Sequence, residues 1–409
     1  MQDKNDLQKR RPIIVIALIT AACLVGDSML YMVLPTHWQE AGLNSLWEVG
    51  ILLAINRLVR LPLNPVVGWI YQRISNRSGI LLAVGMAALT TIAYGYVHSF
   101  LWWLIVRCVW GIAWTFLRLG AYFVILEIAG DSNRGYFMGT YNGLYRLGSL
   151  VGMLVGGFFA DCYGMGLTAL LFGSITCLTI PFVFLYVPKS TAIKRDIQIQ
   201  NAGQKVRWQN SAVIWGMVTG SIVAMIYQGV VAATLSHLIQ IHTGDEILLW
   251  GMAMGSASLA GILQALRWSW EPWLAPWFGK FSDGKWGRQP LLVGSLFMAS
   301  IFFSLLSLPI PLVLWLLILL GIQLTGTVLT TLADAVVSDM AVCTARVAVM
   351  SWYSFAIDFG AALGPILAYL LDEVWAGYAA YWVVAGVLLL LAAKWLIAPP
   401  VAKRAQVIV

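Results

Sequence analysis

Twelve apolar stretches, each long enough to cross a hydrocarbon layer, constrain this chain more than any other feature. They run near residues 13–34, 47–70, 79–98, 101–126, 136–160 and 166–187, then near 211–237, 248–278, 290–308, 312–338, 347–371 and 377–397. A bilayer core of about 30 Å requires roughly 20 apolar residues per helix, and backbone in lipid must satisfy its own polar groups, as a helix does. No ordinary soluble core explains a 409-residue chain that is 60% hydrophobic and 11% charged, with mean hydropathy +0.82 and 20 tryptophans. The first stretch directly follows Lys9, Arg10 and Arg11. It is too long for a signal-peptide core and lacks a small-residue cleavage site, so it is expected to stay as helix 1.

The loops orient the spans. With both termini in the cytoplasm, the N-terminal cluster, Arg73, Arg77, Arg134, the linker cations, Lys280 to Arg288, Arg346 and the C-terminal tail all fall inside. The opposite loops, among them His37 to Trp47, His98 to Ser99, His237 to Glu246 and Asp372 to Ala376, hold no Lys or Arg. This is the positive-inside pattern. The net charge of +7 therefore reflects topology and anionic lipid, and nucleic acid is not an expected partner. The five cysteines show no C-x-x-C spacing, and His37, His98, His237 and His242 sit at outer helix ends without ligand spacing, so no metal is expected. No Walker A loop, zinc-protease motif or nucleophile elbow is present, which argues against an enzyme and implies no cofactor.

One long polar stretch, 188–210, divides the chain. It reads as a cytoplasmic linker between an N-terminal six-helix bundle, 1–187, and a C-terminal bundle with a short tail, 211–409. Setting Gly68 on Gly279 places Pro65 on Pro276. Setting Arg134 on Arg346 places Glu127 on Asp339, Tyr141 on Tyr353 and Gly152 on Gly364. The offsets, 211 and 212, nearly agree, so the halves read as a duplication. Gly139, Gly148, Gly152, Gly156 and Gly157 in helix 5, with Gly364 in the second half, are candidates for close helix packing.

These residues resemble the major facilitator superfamily, and the resemblance covers essentially the whole chain. The family's loop between helices 2 and 3, G-x-x-x-D-R-x-G-R, is degraded here to Gly68-Trp-Ile-Tyr-Gln72-Arg73-Ile-Ser-Asn-Arg77, with Gln72 at the acidic position. The second copy, Gly279-Lys-Phe-Ser-Asp283-Gly-Lys-Trp-Gly287-Arg288, keeps the acid and has one extra residue. Arg107-x-x-x-Gly111 in helix 4 is similar to an element of proton-coupled members, and the helix-5 glycines are similar to the antiporter signature, with Met153 in place of its proline. The resemblance implies an all-α integral membrane protein of twelve transmembrane helices in two pseudosymmetric bundles, located in the plasma or inner membrane. It also implies that Arg73, Arg77, Glu127, Arg134, Asp283, Asp339 and Arg346 gate the cytoplasmic ends.

Ten ionisable side chains fall inside the apolar stretches: Asp27, Arg57, Arg60, Arg107, Arg118, Arg146, Arg267, Glu271, Asp334 and Asp358. Each costs about 2.5–3.5 kcal/mol on insertion scales, and such groups face a cavity or one another. Helical spacing gathers them with Tyr31, Asn56, Trp114, Tyr122, Asn142, Tyr227, Gln264 and Gln323 into polar stripes that read as cavity walls. Arg60, Arg107, Arg118, Arg146 and Arg267 are the candidate cargo contacts on those stripes. Arg267 and Glu271 can pair within one turn, and Arg146 and Asp358 occupy equivalent repeat positions with opposite charge.

A carboxylate in low dielectric holds a proton and a neighbouring arginine releases it, so cargo that occupies the arginine couples two fluxes. Asp27, the acid least neutralised by its sequence neighbours, is the first proton-carrier candidate, ahead of Asp358, Asp334 and Glu271. Asp27→Asn is expected to abolish coupling and spare folding. The reading is secondary active transport of a small, amphiphilic or anionic-group-bearing solute by alternating access, as proton-coupled export, with the protein a monomer in the lipid bilayer. An uptake symporter for an organic anion and a lipid flippase are the alternatives.

Overall fold

The computed structural model describes residues 2–128, 134–189, 211–244, 246–249, 252–282, 287–342, 346–375 and 377–397. The elements in chain order are α1 (Gln2–Val33), α2 (Leu46–Tyr71), α3 (Asn76–Ala93), α4 (Phe100–Ile128), α5 (Arg134–Tyr163), α6 (Met165–Cys177) and α7 (Ile180–Tyr186). After the linker come α8 (Ser211–Ala224), a π-helical turn (Met225–Val230), α9 (Val231–Thr243), strands β1 (Glu246–Leu249) and β2 (Met252–Gly255), α10 (Ser256–Ser282), α11 (Arg288–Leu305), α12 (Leu312–Val342), α13 (Arg346–Val374) and α14 (Ala379–Ile397).

Ten segments among the described residues are long and apolar enough to span a membrane. The two remaining stretches read from the sequence form α2 and α10, continuous helices of 26 and 27 residues. Both carry the arginines, prolines and polar groups that dilute their apolar content.

Three local features depart from the sequence reading. The span read from 248 begins instead at Ser256, because β1 and β2 pair as an antiparallel hairpin with Glu246 opposite Gly255 and Leu249 opposite Met252. A short apolar run does not distinguish strand from helix by periodicity. The sixth stretch breaks between α6 and α7, just before Pro181, which lacks a backbone N–H to continue the ladder. Thr179 Oγ1 donates to the Thr176 carbonyl at 2.7 Å beside the break. The seventh stretch contains the π turn, which no composition signal marks.

The chain forms two compact units, one drawn from Met1–Ala202 and Leu235–Ile262, the other from Gly203–Thr234 and Leu263–Val409. In the first, α1 lies along α5 with side chains removed from the contact. A Cβ on Gly148 would strike the Ala21 carbonyl, and one on Gly152 the Val25 carbonyl. Small residues of this kind let backbones approach where lipid supplies no hydrophobic drive between helices. Tyr71 pins α2 to α4, donating to the Phe116 carbonyl at 2.8 Å while Gly79 and Gly120 make room for its ring and hydroxyl.

The second unit repeats the α1–α5 contact in the same register. Gly360 of α13 meets the Ser221 carbonyl and Gly364 meets the Met225 carbonyl. The glycines are related by an offset of 212 (360 − 148 and 364 − 152), whereas the carbonyls they meet are related by 200 (221 − 21 and 225 − 25). The duplicated halves thus share a packing geometry, and the first helix of each half is offset differently from the rest.

Candidate functional site: two buried polar hubs

Each unit holds a polar hub among its first, second and fourth long helices. In the first, the Arg107 guanidinium, fully buried on α4, forms an ion pair with the Asp27 carboxylate of α1. Arg107 also donates through Nε to the Leu52 carbonyl of α2 at 2.8 Å and through Nη1 to the Tyr94 hydroxyl at 3.3 Å. Asn56 of α2, also fully buried, donates through Nδ2 to Asp27 at 3.2 Å. Tyr94 is held by stacking on Trp103, centroids 5.4 Å apart. Asp27, the acid least neutralised by its sequence neighbours, finds its counter-ion 80 residues away on another helix.

The pair also alters what Asp27→Asn does. A buried ion pair broken on one side leaves an uncompensated charge, so the substitution is not neutral for folding.

Toward the other end of α4, Arg60 Nε donates to the Asn56 carbonyl at 2.9 Å and its guanidinium sits 5.5 Å from the Trp114 ring centroid. Arg118 Nε donates to the Tyr122 hydroxyl at 3.2 Å. Tyr122, Tyr141 and Tyr145 form an aromatic run, with Trp114 edge-on to Tyr145. Tyr31 reaches the Leu53 carbonyl at 3.5 Å. Asn142 is half-buried on α5 and Arg146, one turn on, is exposed there.

The second hub has a different chemistry. Arg267 on α10, 5% exposed, donates through Nη1 to the Gln323 side-chain oxygen and to the Tyr227 carbonyl, both at 3.4 Å. Gln323 on α12 donates to Gln264 at 2.9 Å. Tyr227 lies in the π turn and shares a hydrogen bond with Thr325 at 2.9 Å. Such turns release a backbone carbonyl from the helical ladder and are frequent at functional sites. By the packing offsets, Tyr227 stands where Asp27 stands (227 − 200), and by the sequence offset Arg267 stands where Asn56 stands (267 − 211). The two hubs therefore present an acid–arginine pair in one half and an amide-held arginine in the other.

Glu271 is half-buried one turn beyond Arg267, and Asp358 is half-buried on α13. Asp334 accepts from the Tyr353 hydroxyl at 2.6 Å. Among the gating candidates, Arg77 Nε donates to the Val187 carbonyl at 2.7 Å, Glu127 accepts from Asn76 at 3.3 Å and Arg73 lies 3.8 Å over Trp69. Asp283 falls outside the described residues, as do the side chains of Arg134, Asp339 and Arg346 and the surroundings of Gly139. Sequence reasoning missed Asp161, at the end of α5, which accepts from Ser258 N at 2.8 Å and Ser258 Oγ at 2.5 Å. It lies just past the fifth apolar stretch, where no sequence signal separates it from any other acid at a helix end.

The family model described as Major Facilitator Superfamily matches residues 16–271 and 273–408. The chain belongs to that superfamily. Membership places it among multi-pass membrane transporters and not among enzymes. An uncharacterized MFS-type transporter of Methanocaldococcus jannaschii is 28% identical over 153 residues, 37% of this chain and 39% of that protein, so the match spans well under half of the relative's length. The multidrug resistance protein MdtG of Salmonella typhimurium is 22% identical over 379 residues, 88% of this chain and 89% of that protein. Among solved structures, a bacterial homolog of the human lysosomal transporter Spinster superposes with a TM-score of 0.72 at 15% identity, covering 95% of this chain and 96% of that one. The last likeness speaks for the fold alone.

Proposed function

We propose that this superfamily member is a proton-coupled exporter of small amphiphilic solutes, with twelve spans, both termini cytoplasmic, and bundles 1–187 and 211–409 joined by the 188–210 linker. The observation that carries the coupling is the buried Asp27–Arg107 pair, which ties α1 to α4 with Asn56 of α2 as a second partner of the acid. The resemblance to MdtG, a protein named for multidrug resistance, supports export.

In this reading Asp27 alternates between two partners. Paired with Arg107 it is a carboxylate and α1 is fastened to α4; protonated, it loses the attraction between opposite charges and keeps only hydrogen bonds to a neutral carboxyl. Because the buried Arg107 charge then has no compensating carboxylate, protonation loosens α1 against α4, which supplies the bistable element that alternating access requires. Arg60, Trp114, Arg118 and Tyr122 along the same face offer cationic and aromatic contacts to a cargo with a flat apolar part and an anionic group. Arg146, Asp358, Asp334 and Glu271 remain secondary coupling candidates. The driving force is sufficient: about 1.4 kcal/mol per pH unit and about 2.3 kcal/mol per charge per 100 mV.

Purified protein in proteoliposomes with a trapped pH dye decides between directions. Export predicts that fluorescein moves against an imposed proton gradient; movement with the protons makes the protein a symporter instead. Asp27→Asn, normalised to the folded fraction, is expected to keep gradient-free exchange and lose accumulation. Undiminished accumulation by that variant rules out Asp27 as the carrier.

A further inference from the structure

We propose that Asn56 is a two-state partner of Asp27: its side-chain amide donates to the carboxylate and, turned over, accepts from the protonated acid. The proposal deepens the transport reading above and rests on Asp27 as the proton carrier.

Asn56 is fully buried on α2, and its two amide atoms are used unequally. Nδ2 donates to the Asp27 carboxylate at 3.2 Å, whereas Oδ1 of Asn56 is buried and accepts no hydrogen bond among the described residues. The amide thus serves a carboxylate and holds a buried acceptor in reserve. Protonated Asp27 is the complementary case, because a carboxylic acid brings one O–H donor, and leaving that donor buried and unpaired is unfavourable.

The surroundings let the amide turn and fix the rest. The Asn56 carbonyl accepts from Arg60 Nε at 2.9 Å, and a Cβ on Gly111 would strike that carbonyl, so the main chain is held against α4. The amide hangs on a tetrahedral-to-planar torsion that is broad and roughly two-fold, and exchanging N–H for C=O moves no backbone. Neighbouring acceptors are already engaged. The Leu52 carbonyl takes Arg107 Nε, the Leu53 carbonyl takes the Tyr31 hydroxyl and the Tyr94 hydroxyl takes Arg107 Nη1. Thr91 of α3 is the rival acceptor: its buried hydroxyl has no partner and lies against Gly26, yet it makes no hydrogen bond to the carboxylate.

The charged and titratable groups around Asp27 are Arg107 from α4, Tyr94 from α3, Arg60 one turn past Asn56 on α2, and Tyr31 and Cys23 on α1, with Cys177 of α6 beside Cys23. From α5, Gly148 and Gly152 meet this stretch of α1. The step moves one proton. It passes from solvent to the Asp27 oxygen facing Asn56, the N–H···O bond breaks, the amide turns, and an O–H···O bond forms. Arg107 loses its counter-charge while Asn56 keeps hold of the acid, so α1 stays on α2 as it loosens from α4.

The test follows both groups by infrared difference spectroscopy of the full-length protein in detergent, titrated with acid alone. The protein is grown on asparagine carrying carbon-13 in its side-chain carbonyl. A band lost in the Asp27→Leu, Arg107→Met double variant identifies the Asp27 acid. One lost in Asn56→Leu, or in Asn56→Ser where that variant does not fold, identifies the amide.

The switch predicts that the amide band shifts at the same midpoint at which the acid band appears, and that it stays fixed in the double variant. It also predicts that the acid band moves in the Asn56 variant and not in Thr91→Val. An amide band that stays fixed while the acid band appears overturns the switch and leaves the proton carrier standing. An acid band that moves only in Thr91→Val gives the acceptor to Thr91 and also overturns it. The lack of an acid band at any pH overturns Asp27 as the carrier, and the switch with it.

Discussion

Arg107 and Asp27 show what a single side chain decides in this molecule. The guanidinium is fully buried and, among the described residues, its charge is met by the Asp27 carboxylate, so the loss of either group is costly. Removing one partner of such a pair costs about 3–5 kcal/mol, whereas replacing both with apolar groups is often neutral. Asp27→Asn is therefore expected to lower the thermal midpoint in detergent markedly, and the double variant Asp27→Leu, Arg107→Met to recover most of the loss. Additive single-variant effects would mean that the pair is not coupled. Tyr227 is a milder case. Its hydroxyl contributes one buried hydrogen bond, to Thr325 at 2.9 Å, so Tyr227→Phe is expected to cost about 1 kcal/mol, read from the same unfolding curves.

At the level of elements, the glycines of α5 separate packing from mere helix composition. Gly148 and Gly152 lie against backbone carbonyls of α1, while nothing lies within 4 Å of a Cβ placed on Gly143. Gly143→Ala is expected to stabilise the helix by about 0.5–1 kcal/mol. Gly148→Val, which overfills a backbone contact, is expected to lose about 1–3 kcal/mol. Thermal unfolding of the two purified variants compares them directly, and equal shifts would show that the α1–α5 contact does not constrain α5. The glycine spacing was legible in the sequence as a stripe, but which carbonyl each glycine meets was not, because that depends on the rotation of α1.

The whole molecule is organised by repetition. The register of Gly148 and Gly152 on α1 recurs within the second unit for Gly360 and Gly364 on α8 and its π turn. The expected topology is checked by single-cysteine labelling in intact cells. Asn44→Cys, in an outer loop by the positive-inside pattern and exposed, should react with an impermeant maleimide, and a cysteine at Ser78 should react only after permeabilisation. Reaction of both from outside would overturn the orientation.

The sequence alone determined the membrane class, the family and the places where charge enters the apolar layer, because hydropathy, loop charge and glycine spacing record the solvent around each segment. It also marked Asp27, Asn56, Arg107, Gln264, Arg267 and Gln323 as polar groups on apolar helices. Only the tertiary structure decided who meets whom. Arg107 joins Asp27, Tyr227 offers Arg267 a carbonyl from a π turn, and Asp161 caps a helix that begins 95 residues later. Those choices depend on the rotation and axial register of packed helices, which no local pattern records, and a charge in the apolar layer states only that it needs a partner.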